Sequence, residues 1–256
     1  MARQQFITSL PSPFLKRVWL PMDGVPVDEG PLPLYPFNLP IVRNGGMDFT
    51  FEAPVTILIG ENGAGKSTVL EAIAQMAGFS ESGGAQGMRA VASASTPFRD
   101  RDAGALGEHL RASWLPQVRN GWFFRAETFF SVARYLDESG SSYANFLSSS
   151  HGEGFLRFFN ERLTDQGLYI LDEPEAALSP QKQFDFLKIV HRMNREKKTQ
   201  VIMATHSPIL MALPGADLWH IDQYGVRPTR LEDTYHFQLY REFTAHPHEM
   251  VEAMIE

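Results

Sequence analysis

Nine consecutive residues constrain this chain more than any others: Gly60-Glu61-Asn62-Gly63-Ala64-Gly65-Lys66-Ser67-Thr68. They satisfy the spacing G-x-x-x-x-G-K-[ST], in which a glycine turn gathers backbone N–H groups around an anion and presents a lysine and a hydroxyl just beyond it. The flanks agree. Val55-Thr56-Ile57-Leu58-Ile59 is a short β-branched apolar run, the pattern of a buried strand. Val69-Leu70-Glu71-Ala72-Ile73-Ala74 has the pattern of a helix. Strand, tight turn and helix start together make an anion site, and the glycines let the backbone turn and pass close to phosphate. On this reading Asn62, Gly63, Gly65, Lys66, Ser67 and Thr68 cradle the phosphates. Lys66 reaches the β- and γ-phosphates, and the Ser67 hydroxyl ligates Mg²⁺. The expectation is a nucleoside triphosphate site; what its occupancy drives is open.

Composition narrows the class. At 256 residues the chain suits one generous α/β domain, or one domain with an insertion. A formal charge of −7 argues against a dominant nucleic-acid footprint, although a local basic patch is compatible with it. With no cysteine there is neither a disulfide framework nor a thiolate metal site. Met1 to Pro13 lacks the apolar core of a signal peptide, and no run approaches a membrane-spanning length. A cytoplasmic location is expected.

In chain order, Phe14 to Leu20 reads as a first strand. The stretch to Pro40 carries so many prolines that an extended surface connection is expected. Tyr35 and Phe37 within it either stack on a base or pin the connection to the core. Met47 to Glu52 alternates like a strand. A Gly/Ala/Ser-rich segment from Ser80 to about Gly107 reads as a loop or a loosely packed excursion. Gln86 and Gln117 are candidate sensors of the γ-phosphate. Gly121 to Phe130 reads as a buried strand running into a helix. Arg125 and Glu127, two apart inside it, either form a structural ion pair or line the nucleotide site.

Two later strand ends carry chemistry. Leu168-Tyr169-Ile170-Leu171 ends in Asp172-Glu173-Pro174-Glu175, and in a parallel sheet ligands gather at that end. Asp172 is positioned to hold Mg²⁺, and Glu173 to serve as general base toward an attacking water. Gln200 to Thr205 reads as a further buried strand, ending in His206, which can hydrogen-bond a γ-phosphate or orient Glu173. Between the phosphate loop and the Asp-Glu strand lies Ser148-Ser149-Ser150-His151-Gly152-Glu153-Gly154, opening an apolar-faced helix from Phe155 to Leu163. Ser150 and Glu153 fit a capping box, and the same N–H groups can face a phosphate. Gln181 to Lys198 reads as an amphipathic helix with Phe186, Ile189, Val190 and Met193 inward. Ala216–Asp222 and Gly225–Leu231 read as a closing hairpin. Glu232 to Phe243 reads as a helix with Tyr235, Leu239 and Phe243 in the core, and His246-Pro247-His248 as a turn.

The order of phosphate loop, Ser-Gly turn, Asp-Glu strand end and following histidine, with a helix in each of the last two intervals, resembles the ABC-type ATPase superfamily. Gly60–Thr68 and Leu171-Asp172-Glu173-Pro174 are close to that family's wording. Ser149-Ser150-His151-Gly152-Glu153 departs from the Leu-Ser-Gly-Gly-Gln of transporter cassettes and resembles the stand-alone "AAA family" branch. Ala176-Ala177-Leu178-Ser179 likewise replaces the usual Ser-Ala-Leu-Asp. The resemblance spans about Phe49 to Asp222. It implies an α/β P-loop NTPase fold: a mostly parallel central sheet flanked by helices, with an antiparallel β part near the N-terminus. It also implies a single domain over 1–256, divided into N-terminal strands and a Pro-rich connection (1–54), an insertion or helical part (80–147) and a C-terminal part (148–256).

ATP and Mg²⁺ are the implied ligands. Ser150, Gly152 and Glu153 would close over ATP held by a second copy, giving an ATP-dependent head-to-tail homodimer that drives an unidentified partner protein. The alternatives are a transporter's ATP-binding subunit, a DNA-repair or defence ATPase, and a non-hydrolysing ATP sensor. Only about 80 residues separate Ser67 from Ser150, without sustained heptads, so a long coiled-coil arm has no room there.

Overall fold

A computed structural model describes residues 8–21, 35–80, 83–86, 103–126, 128–129, 151–162 and 165–255. In chain order the elements are β1 (Leu15–Trp19), α1 (Pro40–Arg43), β2 (Asp48–Thr50), β3 (Val55–Ile59), α2 (Lys66–Met76), β4 (Gly84–Ala85), α3 (Ala103–His109), β5 (Arg111–Trp114) and β6 (Gly121–Arg125). There follow α4 (His151–Arg162), β7 (Gly167–Asp172), a 3₁₀ turn (Pro174–Ala177), α5 (Pro180–Glu196), β8 (Thr199–Ala204) and α6 (Pro208–Met211). The chain continues through β9 (Asp217–Asp222), β10 (Gly225–Thr229), a second 3₁₀ turn (Leu231–Asp233), α7 (Tyr235–Ala245) and α8 (Pro247–Ile255).

Two sheets result. A three-stranded antiparallel sheet has the order β2-β1-β5. A seven-stranded sheet has the order β10-β9-β3-β8-β7-β6-β4, and its run from β9 to β6 is parallel. β3, β7 and β8 are buried along their whole length, which is why they read as unbroken apolar runs. Their side chains alternate between two cores. Leu58, Ile170, Ile202 and Ala204 meet Val69, Leu70, Ile73 and the rest of α2's inner face, with the small sheet behind it. Ile57, Ile59, Leu171, Val201 and Met203 meet α4 and α5. This second core is aromatic: the Phe155 and Phe159 rings lie 4.6 Å apart, and both meet Phe124 edge to face. The small and large sheets are therefore layers on opposite sides of shared packing, the arrangement expected of an α/β domain.

The close approach of β6 and β7 depends on Gly121. Its φ is +145°, and a Cβ there would stand 1.8 Å from the Leu168 carbonyl oxygen.

Several expectations meet corrections here. Ala103–His109, expected as loop, is a helix with Leu106 fully buried against α2. Gly107 sits so close to α2 that a side chain would press on the Ala72 carbonyl. Tyr235 and Phe243, expected in the core, are exposed, and α7 has no fully buried residue. Amphipathic spacing reports which residues share a face, not whether that face is covered. His248 belongs to α8, because Pro247 opens a helix at its first turn rather than ending in a turn. The Pro-rich connection from 22 to 34, most of the Ser80–Gly107 segment and Glu127 lie outside the described residues. The β9–β10 hairpin forms as expected, and β9 also pairs with β3.

One side chain joins the two sheets. Gln200 is fully buried on β8 and reaches β1. Its Oε1 accepts from the Phe14 and Leu15 N–H groups at 2.9 and 2.8 Å, and its Nε2 donates to the Leu15 carbonyl at 2.9 Å. Gln200→Leu keeps the volume but leaves those backbone groups without partners. It is expected to lower unfolding stability by on the order of 3 kcal/mol in urea titration.

Candidate active site

The strands β3, β8 and β7 are consecutive neighbours and parallel, so their C-terminal ends open side by side. Each ends in one of the expected functional segments. β3 runs into the loop Gly60–Gly65, which enters α2 through Gly65 in a left-handed conformation at φ +94°. Lys66 is buried, and its ammonium donates to the Gly60 and Glu61 carbonyls at 2.9 and 3.0 Å. An ammonium has three donors, so one remains for a further acceptor. Burial pushes the Lys66 pKa down against the pull of Glu173, Asp172 and Glu175. Asn62 and Gly63 are exposed at the crest of the loop. Thr68 is buried, and its hydroxyl shares a 2.6 Å hydrogen bond with the Tyr35 phenol. Of the two roles open to Tyr35, this geometry matches the one that ties the connection to the core.

The Ser67 hydroxyl donates to Asp172 Oδ1 at 3.0 Å, so the start of α2 and the end of β7 meet. A hydroxyl and a carboxylate are hard oxygen donors suited to Mg²⁺. Their separation is close to the roughly 2.9 Å edge of an octahedron with bonds of about 2.1 Å, so the pair fits that ion. No cluster of three or more His, Asp or Glu side chains suited to a metal occurs among the described residues.

Four residues along α2 from Ser67, and so on the same face, Glu71 forms a 2.6 Å ion pair with Arg125. Arg125 stands in register with Asp172 across β6 and β7, its Nε 4.0 Å from Asp172 Oδ2. Arg125 is thus ion-paired with Glu71 and borders the Asp172 carboxylate, while the Arg125–Glu127 pair posed for it involves a residue outside those described.

Glu173 follows with φ +48° and ψ +55°, a left-handed conformation that costs a non-glycine residue about 1–2 kcal/mol. Its N–H is tied to the Ala204 carbonyl at 3.0 Å. The side chain is partly exposed, and its Oε1 lies 3.5 Å from His206 Nε2 at the end of β8. His206 is held from three directions. Its backbone N–H donates to Glu175 Oε1 at 2.6 Å. Its Nδ1 lies 3.1 Å from Nε2 of His236, on α7. Its Nε2 is buried and has no hydrogen-bond partner among the described residues. Burial, then Lys66, push the His206 pKa below its ordinary value.

Other candidates lie elsewhere. Gln86 donates to the Ala77 carbonyl, capping α2 at the end opposite the phosphate loop, and Gln117 is exposed. Gly152 and Glu153 fall in the first turn of α4, with Glu153 exposed, while Ser150 is outside the described residues. Sequence reading missed two contributors. Glu175 was read only as part of an acidic strand end. It is in fact largely buried, and burial raises its carboxyl above the ordinary range. His236 carried no signal at all, because its role depends on where α7 docks.

A glycine-rich anion loop and a hydroxyl–carboxylate pair at the ends of a parallel sheet define a P-loop nucleotide-binding protein. Comparison with known proteins narrows the class. Residues 126–212 match a family described as "AAA domain, putative AbiEii toxin, Type IV TA system", and residues 40–96 match a family described as "AAA domain". The thiamine import ATP-binding protein ThiQ of Cereibacter sphaeroides is 28% identical over 198 residues, 66% of this chain and 79% of that protein. The energy-coupling factor transporter ATP-binding protein EcfA2 of Spiroplasma kunkelii is 45% identical over 38 residues, so the chain matches only 12% of its length. The ADP conformation of MJ1267, an ATP-binding cassette of an ABC transporter, shares the fold at a TM-score of 0.50 and 13% identity, with 90% of this chain and 99% of that one covered. The chain is thus similar to AAA-domain families and to ATP-binding proteins of ABC transporters, and it shares the fold of an ATP-binding cassette.

Glu175 gives the site a testable support. Glu175→Ala leaves the buried His206 N–H without its acceptor and is expected to cost about 2 kcal/mol by chemical denaturation. Glu175→Gln keeps an acceptor oxygen without a buried charge and is expected to match the wild type at pH 8.

Proposed function

We propose that the chain is a Mg²⁺-dependent ATPase that closes as a head-to-tail pair over two ATPs and passes that closure to a partner protein. The observation that carries the reading is the convergence of three strand ends. Lys66, the Ser67–Asp172 pair and the Glu173–His206 pair stand on β3, β7 and β8, which are neighbours in one parallel sheet. Lys66 and the loop N–H groups of Asn62, Gly63 and Gly65 bind the phosphates, with Thr68 steadying the first turn of α2. Ser67 and Asp172 hold Mg²⁺, which neutralises charge on the β- and γ-phosphates when bound. Glu173 takes the proton of the attacking water, and His206 donates from Nε2 to the γ-phosphate. Ser150, Gly152 and Glu153 contribute from the second copy.

Similarity to the ATP-binding proteins of ABC transporters supports pairing, and so does the presence of one phosphate loop beside a separate helix start at His151. The energy of γ-phosphate contacts then becomes closure of the pair, and hydrolysis reopens it. The likeness to ThiQ supports a second reading, in which the partner is a membrane transporter. Among the described residues no helix is long and apolar enough to cross a membrane, so on that reading the membrane part is another chain. Co-purification with a membrane protein from detergent extracts is the observation that would favour it.

Glu173→Gln is expected to keep ATP affinity while turnover falls at least about 100-fold. Lys66→Ala is expected to weaken ATP binding by more than about tenfold. Light scattering on the Glu173→Gln protein tests the pairing directly. The mass should double on adding Mg·ATP. An unchanged mass with ATP bound leaves α4's first turn as a helix cap alone.

A further inference from the structure

We propose that His236 is a positioning residue whose Nε2–H donates to His206 Nδ1 and thereby holds His206 as the tautomer with its proton on Nε2, aimed at Glu173 and the γ-phosphate position. The inference rests on the function proposed above for His206 and extends it to α7, an element outside the strand-end constellation.

The geometry selects the proton's position. Two imidazole nitrogens 3.1 Å apart share one proton, carried by one ring or the other. Suppose His206 donates. Its Nδ1 then carries the hydrogen and its Nε2 is a bare lone pair. That lone pair is buried, has no hydrogen-bond partner among the described residues and lies 3.5 Å from the Glu173 carboxylate. A lone pair aimed at a carboxylate in a buried setting is repulsive, and it leaves a buried acceptor unsatisfied. Suppose instead that His236 donates. His206 Nε2 then carries the hydrogen, and its 3.5 Å approach to the carboxylate is attractive rather than repulsive, with the hydrogen left to donate to a ligand. Burial, then Lys66, push both imidazoles below the ordinary histidine range, so a single shared proton suits neutral pH. The other charged groups facing His236 are Glu61 and His220.

His236 is held firmly enough to do this. It is the second residue of α7, directly after a cap residue, Thr234, that is 2% exposed. The Thr234 hydroxyl donates to the Leu231 carbonyl at 2.7 Å and accepts from the Phe237 N–H at 3.2 Å. Gln238 Nε2 donates to the Glu232 carbonyl at 3.0 Å. These bonds fix the start of α7, and with it the direction of the His236 ring, whose centroid lies 5.2 Å from that of His206. The first turn of α7 is thereby wired to the end of β8. A shift of α7 would return His206 to a mixture of tautomers.

Nitrogen-15 NMR of histidine-labelled protein reads the tautomer directly, in the full chain without nucleotide and with no mutation. The expected spectrum at pH 7.5 has His206 protonated on Nε2 and bare on Nδ1. In His236→Phe, His206 should show a tautomer mixture, and kcat for ATP should fall about tenfold with KM within twofold. His236→Gln places an amide donor near the same point and should recover most of the kcat. A proton on His206 Nδ1 in the wild-type spectrum overturns the proposal whatever the ATPase assay shows. An unchanged tautomer in His236→Phe overturns it as well. His206→Ala separates the two levels: full turnover in that variant removes His206 from the proposed function, while the spectrum still decides the histidine pair.

Discussion

Neighbouring strands in a sheet lie about 4.8 Å apart, and that spacing governs the site. Because β3, β8 and β7 are consecutive and parallel, three chain segments far apart in sequence open within about 10 Å of one another. The backbone ladder does most of this positioning. Arg125 opposite Asp172, and Asp172 opposite Ala204, are register pairs rather than consequences of side-chain attraction. Side chains then lock what the ladder has aligned: Ser67 to Asp172, Glu71 to Arg125, and Glu175 to the N–H of His206. The charged groups sit at the sheet's end, where buried apolar strands give way to solvent. There an ion pair can be both partly desolvated and useful.

What could be read from the residues alone was what is local. Strand β3, the phosphate turn and α2 are contiguous, and their meaning lies in spacing. The Asp172-Glu173 strand end and His206 carry the same kind of signal: a buried run stopping at a charged or polar residue. The inner face of α5 was likewise legible, with Phe186, Val190 and Met193 buried as their helical spacing implies. Contacts between distant segments were not legible. Gln200 looks like any glutamine opening a strand, and only the docking of β1 makes it a joint. Glu175 and His236 owe their roles to β8 and α7 arriving beside each other. Leu106 and its helix were hidden by the glycines in and around it, which lower helix propensity, and burial against α2 overrides them. Tyr235 and Phe243 show the converse error, a stripe with helical spacing that no described residue fully covers.

Glu173 shows how the fold sustains an unfavourable local choice. A left-handed glutamate is disfavoured, yet the residue is clamped on both sides. Asp172 before it belongs to a buried strand, and Pro174 after it opens a 3₁₀ turn with its φ preset. The Glu173 N–H is taken by β8 through Ala204. With the peptide fixed at both ends, the conformation directs the carboxylate toward His206 rather than along the strand. Lys66 is the electrostatic counterpart. Its burial disfavours the charge, and three carboxylates together with two loop carbonyls hold it in place. Both features prepare polar groups before a ligand arrives, so less reorganisation is charged against binding.

That preparation bears on how closure could be transmitted. Lys66 already occupies two of its donors with its own loop, and His206 already has its backbone N–H and Nδ1 committed. Beside the loop N–H groups, two side-chain nitrogens are left to meet a phosphate: Lys66 Nζ, with one proton to spare, and His206 Nε2, which has no hydrogen-bond partner among the described residues. A γ-phosphate that meets both would pull on β3 and β8 at once. β8 is bonded through Gln200 to the small sheet and through His206 to α7. Rigid elements joined by hydrogen bonds of fixed geometry move as bodies rather than deform. On the proposed function, a displacement of β8 at the phosphate position would bear on the small sheet through Gln200 and on α7 through His206.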